Sequence, residues 1–183
     1  MKKIILLISF FLFGCSSSTQ LSTEDSLVVY KGDSFSIDIP SSWEVMDQSG
    51  ITNLSKPRDG NFELIVSSNT QDGNFANNLI ILSKDLDEVL TSYEFMGKND
   101  PKDYTSYTYF LEDKAEDFQF NDGEKTKLYV FSAKYNKDND VLKFIQTGRI
   151  CNEKKSFFLT IGVSLNIKDT TKYEDILKTF KCD

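Results

Sequence analysis

Phe157-Phe158-Leu159-Thr160-Ile161-Gly162-Val163-Ser164-Leu165 is the stretch on which the fold turns. Phe157, Leu159, Ile161, Val163 and Leu165 recur at every second position, which is the repeat of a strand and not of a helix, so one face of an extended segment meets a core. Upstream, Tyr129, Phe131, Ala133 and Tyr135 give a second period-2 face, Asn136 to Asp140 reads as a turn, and Leu142, Phe144 and Gln146 return. Cys151 to Lys155 is the next turn. The expectation is a meander of three antiparallel strands.

Either side of this meander the period changes. Thr171-x-x-Glu174 has the layout of a capping box, Tyr173, Ile176, Leu177 and Phe180 follow at i, i+3, i+4 and i+7, and Lys178 and Lys181 sit near the negative helix end. Asp85-x-x-Glu88 repeats that layout, with Leu86, Val89, Leu90 and Tyr93 at helical spacing and Gly97 as a stop. Shorter strand-like runs are Leu27 to Tyr30, Phe35 to Ile39 (ended by Pro40), Phe62 to Ser67 and Leu79 to Leu82, with a polar loop from Ser68 to Asn78. Tyr104 to Leu111 is aromatic and β-prone, and Phe118 and Phe120 form a short strand ending near Gly123. Alternating strands bracketed by two helices, each with one apolar stripe, predict an α+β domain whose helices cover an antiparallel sheet.

The amino terminus carries a different message. Lys2-Lys3, an apolar run from Ile4 to Phe13, and Gly14-Cys15-Ser16-Ser17-Ser18 form an export signal whose apolar part is too short to cross a hydrocarbon core of ~30 Å. Leu12-Phe13-Gly14-Cys15 resembles the bacterial lipobox, which implies acylation of Cys15. Residues 1–14 are thus read as signal peptide, 15–26 as the lipidated cysteine with a flexible Ser/Thr tether, and 27–183 as one domain. The tether reaches roughly 18 Å on average, which keeps the domain near the bilayer. Location in the cell envelope follows as an expectation. It would be the outer membrane in a diderm organism, since Ser16 and not Asp follows the cysteine.

Removal of residues 1–14 leaves 19 basic and 28 acidic residues, a net charge of −9, which argues against nucleic acid as a partner and leaves membrane contact to the acyl chains. Only Cys151 and Cys182 then remain. In an oxidising compartment they are candidates for a disulfide worth about 3–4 kcal/mol; the other reading is two separate thiols.

A family enters through Tyr30-Lys-Gly-Asp-Ser-Phe-Ser-Ile-Asp-Ile-Pro-Ser-Ser-Trp43, a strand ended by Pro40 and followed by Trp43, which resembles the opening of PsbP-like domains. The order of later elements, from about residue 28 to 182, is similar to that family and to the related Mog-type Ran-binding protein. The resemblance implies an α/β/α sandwich with a central antiparallel sheet, Pro40 as strand terminator and Trp43 as core anchor. Photosystem PsbP proteins assist a manganese and calcium cluster and Mog-type proteins bind a GTPase. Neither role transfers residue by residue, because the shared motifs are structural.

The chain has no histidine, which removes imidazole-based catalysis and His-containing zinc sites, and no phosphate loop or nucleophile elbow occurs. No cofactor and no enzymatic activity are expected. Acidic clusters at Asp85/Asp87/Glu88, Asp113/Glu116/Asp117 and Asp138-Asn139-Asp140 read as solvated turns and helix starts, with Asp138 and Asp140 the weak candidates for calcium. Tyr104, Tyr107 and Tyr109 either pack on the sheet or line a contact surface. The leading expectation is a non-enzymatic, lipid-anchored interaction or accessory module that binds a membrane-proximal protein. The alternative is a small-ligand or cation-binding lipoprotein using a pocket between sheet and helix.

Overall fold

Alternation carries most of the chain into sheet. The computed structural model describes residues 25–47, 50, 60–72, 75–134, 138 and 140–183. The order is β1 (Leu27–Lys31), β2 (Phe35–Pro40), β3 (Trp43–Val45), β4 (Asn61–Asp72), β5 (Phe75–Asp85), α1 (Ser92–Lys98), a 3-10 turn at Pro101–Asp103, β6 (Tyr109–Gln119), β7 (Lys125–Lys134), β8 (Leu142–Cys151), β9 (Lys155–Ser164), α2 (Thr171–Lys178) and β10 (Lys181–Cys182). Seven strands form one antiparallel sheet in the order β3-β4-β5-β9-β8-β7-β6, and three form a second, β1-β2-β10.

The period-2 face of β9 lies at the centre of the larger sheet, and Phe157, Leu159, Ile161 and Val163 are wholly buried. Against this face pack β2, through Phe35, Ile37 and Ile39, and α2, through Tyr173, Ile176 and Leu177. Phe35, Phe157 and Phe180 meet pairwise at ring-centroid distances of 5.3 Å. Each such side chain contributes roughly 1.5–3 kcal/mol on burial, so this layer dominates the stability. β2 ends at Pro40, and Trp43 packs on the same core.

On the opposite face α1 stands over β7 and β8. Phe95 and Met96 meet Tyr129, Phe131, Ala133 and Phe144 there. Close approach needs Gly148, where a Cβ would lie 2.7 Å from both Met96 Sδ and Phe95 Cε1. Hydrogen bonds pin the start of the helix: Ile150 N donates to Ser92 Oγ at 3.0 Å, and Thr126 Oγ1 donates to the carbonyls of Gly148 (2.8 Å) and Ser92 (3.3 Å).

The expected α+β arrangement, an α/β/α sandwich with its central sheet flanked by two amphipathic helices, is overturned. The protein is mostly β, with two antiparallel sheets, and among the described residues the helices hold only seven and eight residues. Two physical causes account for the difference. Residues up to Asp85 stay extended because β5 pairs with β9 as far as Asp85 opposite Lys155, and Leu86 N bonds to Lys154 O, so a helix cannot start there. Helix α1 begins instead at a capping box of Thr91 and Glu94. The other face is covered in large part by the small sheet, which leaves α2 only part of the layer.

Boundaries shift elsewhere too. The expected loop at residues 68–78 is mostly sheet, since β4 runs to Asp72 and β5 starts at Phe75. Phe118 lies one residue before the end of a long β6, and Phe120 sits in the turn to β7. Leu165 lies past β9 and is exposed. Asp25 and Ser26, assigned to the tether, are held at the β2–β3 corner: Ser41 N donates to Ser26 O at 2.8 Å and Ser42 Oγ to Asp25 at 2.8 Å. The signal, Cys15 and the remaining tether, with Tyr135, Asn136 and Asn139, lie outside the described residues.

Candidate functional site

The Tyr-rich segment becomes part of an aromatic row on the α1 side of the large sheet. The Pro101–Asp103 turn leads into this segment and is closed by Tyr104 N donating to Pro101 O at 3.1 Å. Tyr104 and Tyr107 rings lie 6.0 Å apart, Tyr107 meets Phe110 at 6.1 Å and Phe131 at 5.9 Å, and Phe131 continues to Phe144 at 5.3 Å. The Tyr104 hydroxyl donates to Asn99 O at 3.2 Å. Tyr107 is therefore packed on the sheet's aromatic cluster and Tyr104 on Tyr107, whereas Tyr109, on edge strand β6 opposite Lys134, is 40 % exposed. The three tyrosines do not share one surface.

Beside Tyr104 opens a groove of about 340 Å³ between α1 and the neighbouring strands β5 and β9. Leu82, Leu86, Leu90, Phe95 and Phe158 give it apolar walls. Phe95 and Phe158 meet edge to face at 6.0 Å. At its rim Lys98 Nζ lies 2.5 Å from Glu88, a pair whose side chains are more than half exposed and which adds little stability. The volume falls at the lower end of small-molecule sites.

Four carboxylates with partly or wholly buried side chains are engaged within the fold. Asp122 accepts from both terminal nitrogens of Arg149, at 3.0 and 2.6 Å, while Arg149 Nη1 also donates to Phe180 O at 3.1 Å and the guanidinium lies 5.0 Å from the Phe120 ring centroid. Hydrogen bonds from Arg149 hold the Asp122 carboxyl below the usual carboxylate range, against an opposing push from burial. Glu174 takes hydrogen bonds from Lys114, at 3.2 Å, and from Thr170, at 2.7 Å. Burial pulls the Lys114 ammonium down, but its hydrogen bonds to Glu116 and Glu174 outweigh this and its pKa is raised. Asp113 accepts from Ser132 at 3.2 Å and faces Lys143 at 3.7 Å. Glu63 accepts from Ser83 and lies 3.5 Å from Lys155.

The three acidic clusters do not converge. Asp85 ends β5, Asp87 is exposed and Glu88 pairs with Lys98; Asp113, Glu116 and Asp117 spread along β6. Asp138 and Asp140 are exposed in the β7–β8 connection, and no group of three metal-binding side chains occurs among the described residues. Cys151 and Cys182 form a disulfide, with Cα atoms 5.8 Å apart, which ties β10 to the end of β8. Sequence reasoning missed the Arg149–Asp122 pair, whose 27-residue separation leaves no local pattern. The Thr91-x-x-Glu94 cap was available as a motif.

No family model matches the chain. No curated protein matches it either. Among solved structures, the solution structure of cyanobacterial PsbP (CyanoP) from Synechocystis sp. PCC 6803 is similar, with a TM-score of 0.55 and 16 % sequence identity over 93 % of this chain and 100 % of that one. The fold is PsbP-like. At this identity the likeness speaks for the fold alone. The PsbP-like resemblance read from Tyr30 to Trp43 therefore holds for architecture, with Pro40 and Trp43 in structural places. No helix of the described residues is long and apolar enough to cross a membrane.

Proposed function

We propose that the chain is a lipid-anchored accessory protein of the cell envelope whose PsbP-like domain binds a membrane-proximal protein and catalyses nothing. The observation that carries this reading is the engagement of four carboxylates: Asp122, Glu174, Asp113 and Glu63 are each tied to a cation or hydroxyl that links elements of the fold. A general acid or base needs a carboxyl facing a reactant, and each of these faces its own partner within the fold instead. The likeness to a PsbP protein over 93 % of this chain adds the fold and no role. Anchoring rests on Cys15 and the preceding apolar run. Replacing Cys15 by Ala should move the chain from the membrane to the soluble fraction, and the wild-type chain should carry acyl mass on residue 15. A wild-type chain that is soluble and unacylated would overturn the anchor.

A second reading is favoured by the groove beside α1, which has the apolar walls and volume for a small aromatic ligand. Anilinonaphthalene sulfonate, an anionic aromatic dye, tests it. Dye fluorescence on the native protein that disappears in Leu82→Trp, with an unchanged melting curve, supports a ligand site. Fluorescence that is absent, or indifferent to the substitution, rules it out.

A further inference from the structure

The segment that follows Cys15 joins the domain at a fixed point. Ser41 N donates to Ser26 O at 2.8 Å, the Ser26 and Ser41 hydroxyls lie 2.9 Å apart, and Ser42 Oγ donates to Asp25 at 2.8 Å, so Asp25 and Ser26 are pinned to the corner between β2 and β3. Two edge strands start at this corner, β1 with Leu27 opposite Pro40 and β3 with Trp43. They also lie on one side of the stacked sheets. β10 is tied to β8 by the Cys151–Cys182 bond, and Phe35 of β2 rests on Phe157 of β9, so β1, the next strand out, lies toward the β4 and β3 end of the large sheet.

Five of the ten large apolar side chains left exposed among the described residues are on this side: Leu27, Val28, Val29, Val45 and Met46. Val28 is opposite Ile39 and Val45 opposite Val66, so both are on the inward faces of their sheets, yet they are 47 and 44 % exposed. The two sheets gape at this rim. Asp25, Lys31, Asp38 and Glu44 flank it, so it carries no cluster of cations and any contact it makes is apolar, not a charge attraction. The far edge, β6, carries Glu112, Asp113, Lys114, Glu116 and Asp117 instead.

We infer that this rim docks on the lipid bilayer that holds Cys15, adding a protein contact to that of the acyl chains. The inference rests on the anchor proposed above. Chain length selects the bilayer as the occupant. Ten residues lead from Cys15 to Asp25, which reach at most ~35 Å when fully extended and roughly 18 Å on average. A globule formed by residues 27–183 is roughly 40 Å across. The corner therefore cannot face directly away from the membrane, and the average reach holds it, with its apolar rim, beside the headgroups. Docking stays at headgroup depth, because the outer N–H and C=O groups of edge strand β1 need hydrogen-bond partners that water and headgroups supply and hydrocarbon does not. A small apolar contact suffices, since the anchor makes it an intramolecular event.

The test uses the full chain in phosphatidylcholine vesicles containing a headgroup-nitroxide lipid, with vesicle flotation and the mass of residue 15 measured alongside. Cys151 and Cys182 are bonded and Cys15 is blocked in the acylated chain, so a single introduced cysteine takes a nitrobenzoxadiazole label. At Val29→Cys and at Val45→Cys the label should be quenched roughly three-fold or more beyond Leu111→Cys, an exposed position on the far edge, and high salt should leave the difference unchanged. Equal quenching at the three positions in chains that float overturns the docking and leaves the anchor standing. Shielding of Val29→Cys and Val45→Cys in native envelope but not in protein-free vesicles gives the rim to a protein and likewise overturns the docking. A chain that is unacylated and fails to float overturns anchor and docking together.

Discussion

Opening the disulfide between Cys151 and Cys182 should cost the protein a large share of its stability. The bridge closes a loop with a sequence separation of 31 residues. On the chain-entropy model a loop of that length removes about 3.7 kcal/mol of unfolded-state freedom at 25 °C, against a total of roughly 5–15 kcal/mol for a domain. Native contacts add a local effect. β10 has only two residues and two register pairs with β2, Lys181 with Ser36 and Cys182 with Phe35, so the bridge is the main tie between the small sheet and the end of β8. The double variant Cys151→Ala/Cys182→Ala should lower the urea midpoint by about 1–2 M, for an m-value of roughly 2–3 kcal/mol/M, and the melting temperature by about 7–15 °C. Hydrogen exchange should show lost protection at β10 and β2 first. A midpoint within about 0.3 M of wild type would refute the reasoning, because the loop term alone exceeds that.

Three further outcomes follow from the packing. Asp122→Ala should destabilise toward the lower end of roughly 3–5 kcal/mol, since it strands the buried Arg149 guanidinium while Asp122 itself is a third exposed; denaturant titration measures it. The folded Asp122 pKa is depressed, so its contribution is present above the unfolded value of about 3.9 and disappears as pH falls through the folded value; urea midpoints measured from pH 6 to 2 should lose part of their acid slope in Asp122→Asn. Gly148→Ala should cost about 1–3 kcal/mol, because the added methyl drives α1 off β8, and compensation by Met96→Ala, seen as a double-mutant coupling, checks the contact.

The meander was readable because each strand carries its own signal: Phe157, Leu159, Ile161 and Val163 are buried as their spacing requires. Tyr173, Ile176, Leu177 and Phe180 are buried for the same reason. The first helix was misplaced because its apparent stripe competes with strand pairing made 70 residues away in sequence, Asp85 with Lys155. Val89, a member of that stripe, is 65 % exposed, and Tyr93 spends its hydroxyl on Asp117. Glu174, in the position of a capping glutamate, faces Lys114 of β6 instead. Two strands of the small sheet were readable, Leu27 to Tyr30 and Phe35 to Ile39, but its separateness from the large sheet was not: β10 is two residues long and finds β2 only through tertiary structure. For the candidate site, Tyr104 and Tyr107 were recognisable as a group, but which of the three tyrosines packs inward depends on where β6 begins.

The most direct test of the central claim is native co-isolation of the full chain from detergent-solubilised envelope, compared with Cys15→Ala at equal expression. The account predicts one companion protein at near-stoichiometric amount, lost or strongly reduced without the anchor. Background proteins alone, equal in both samples, would contradict it.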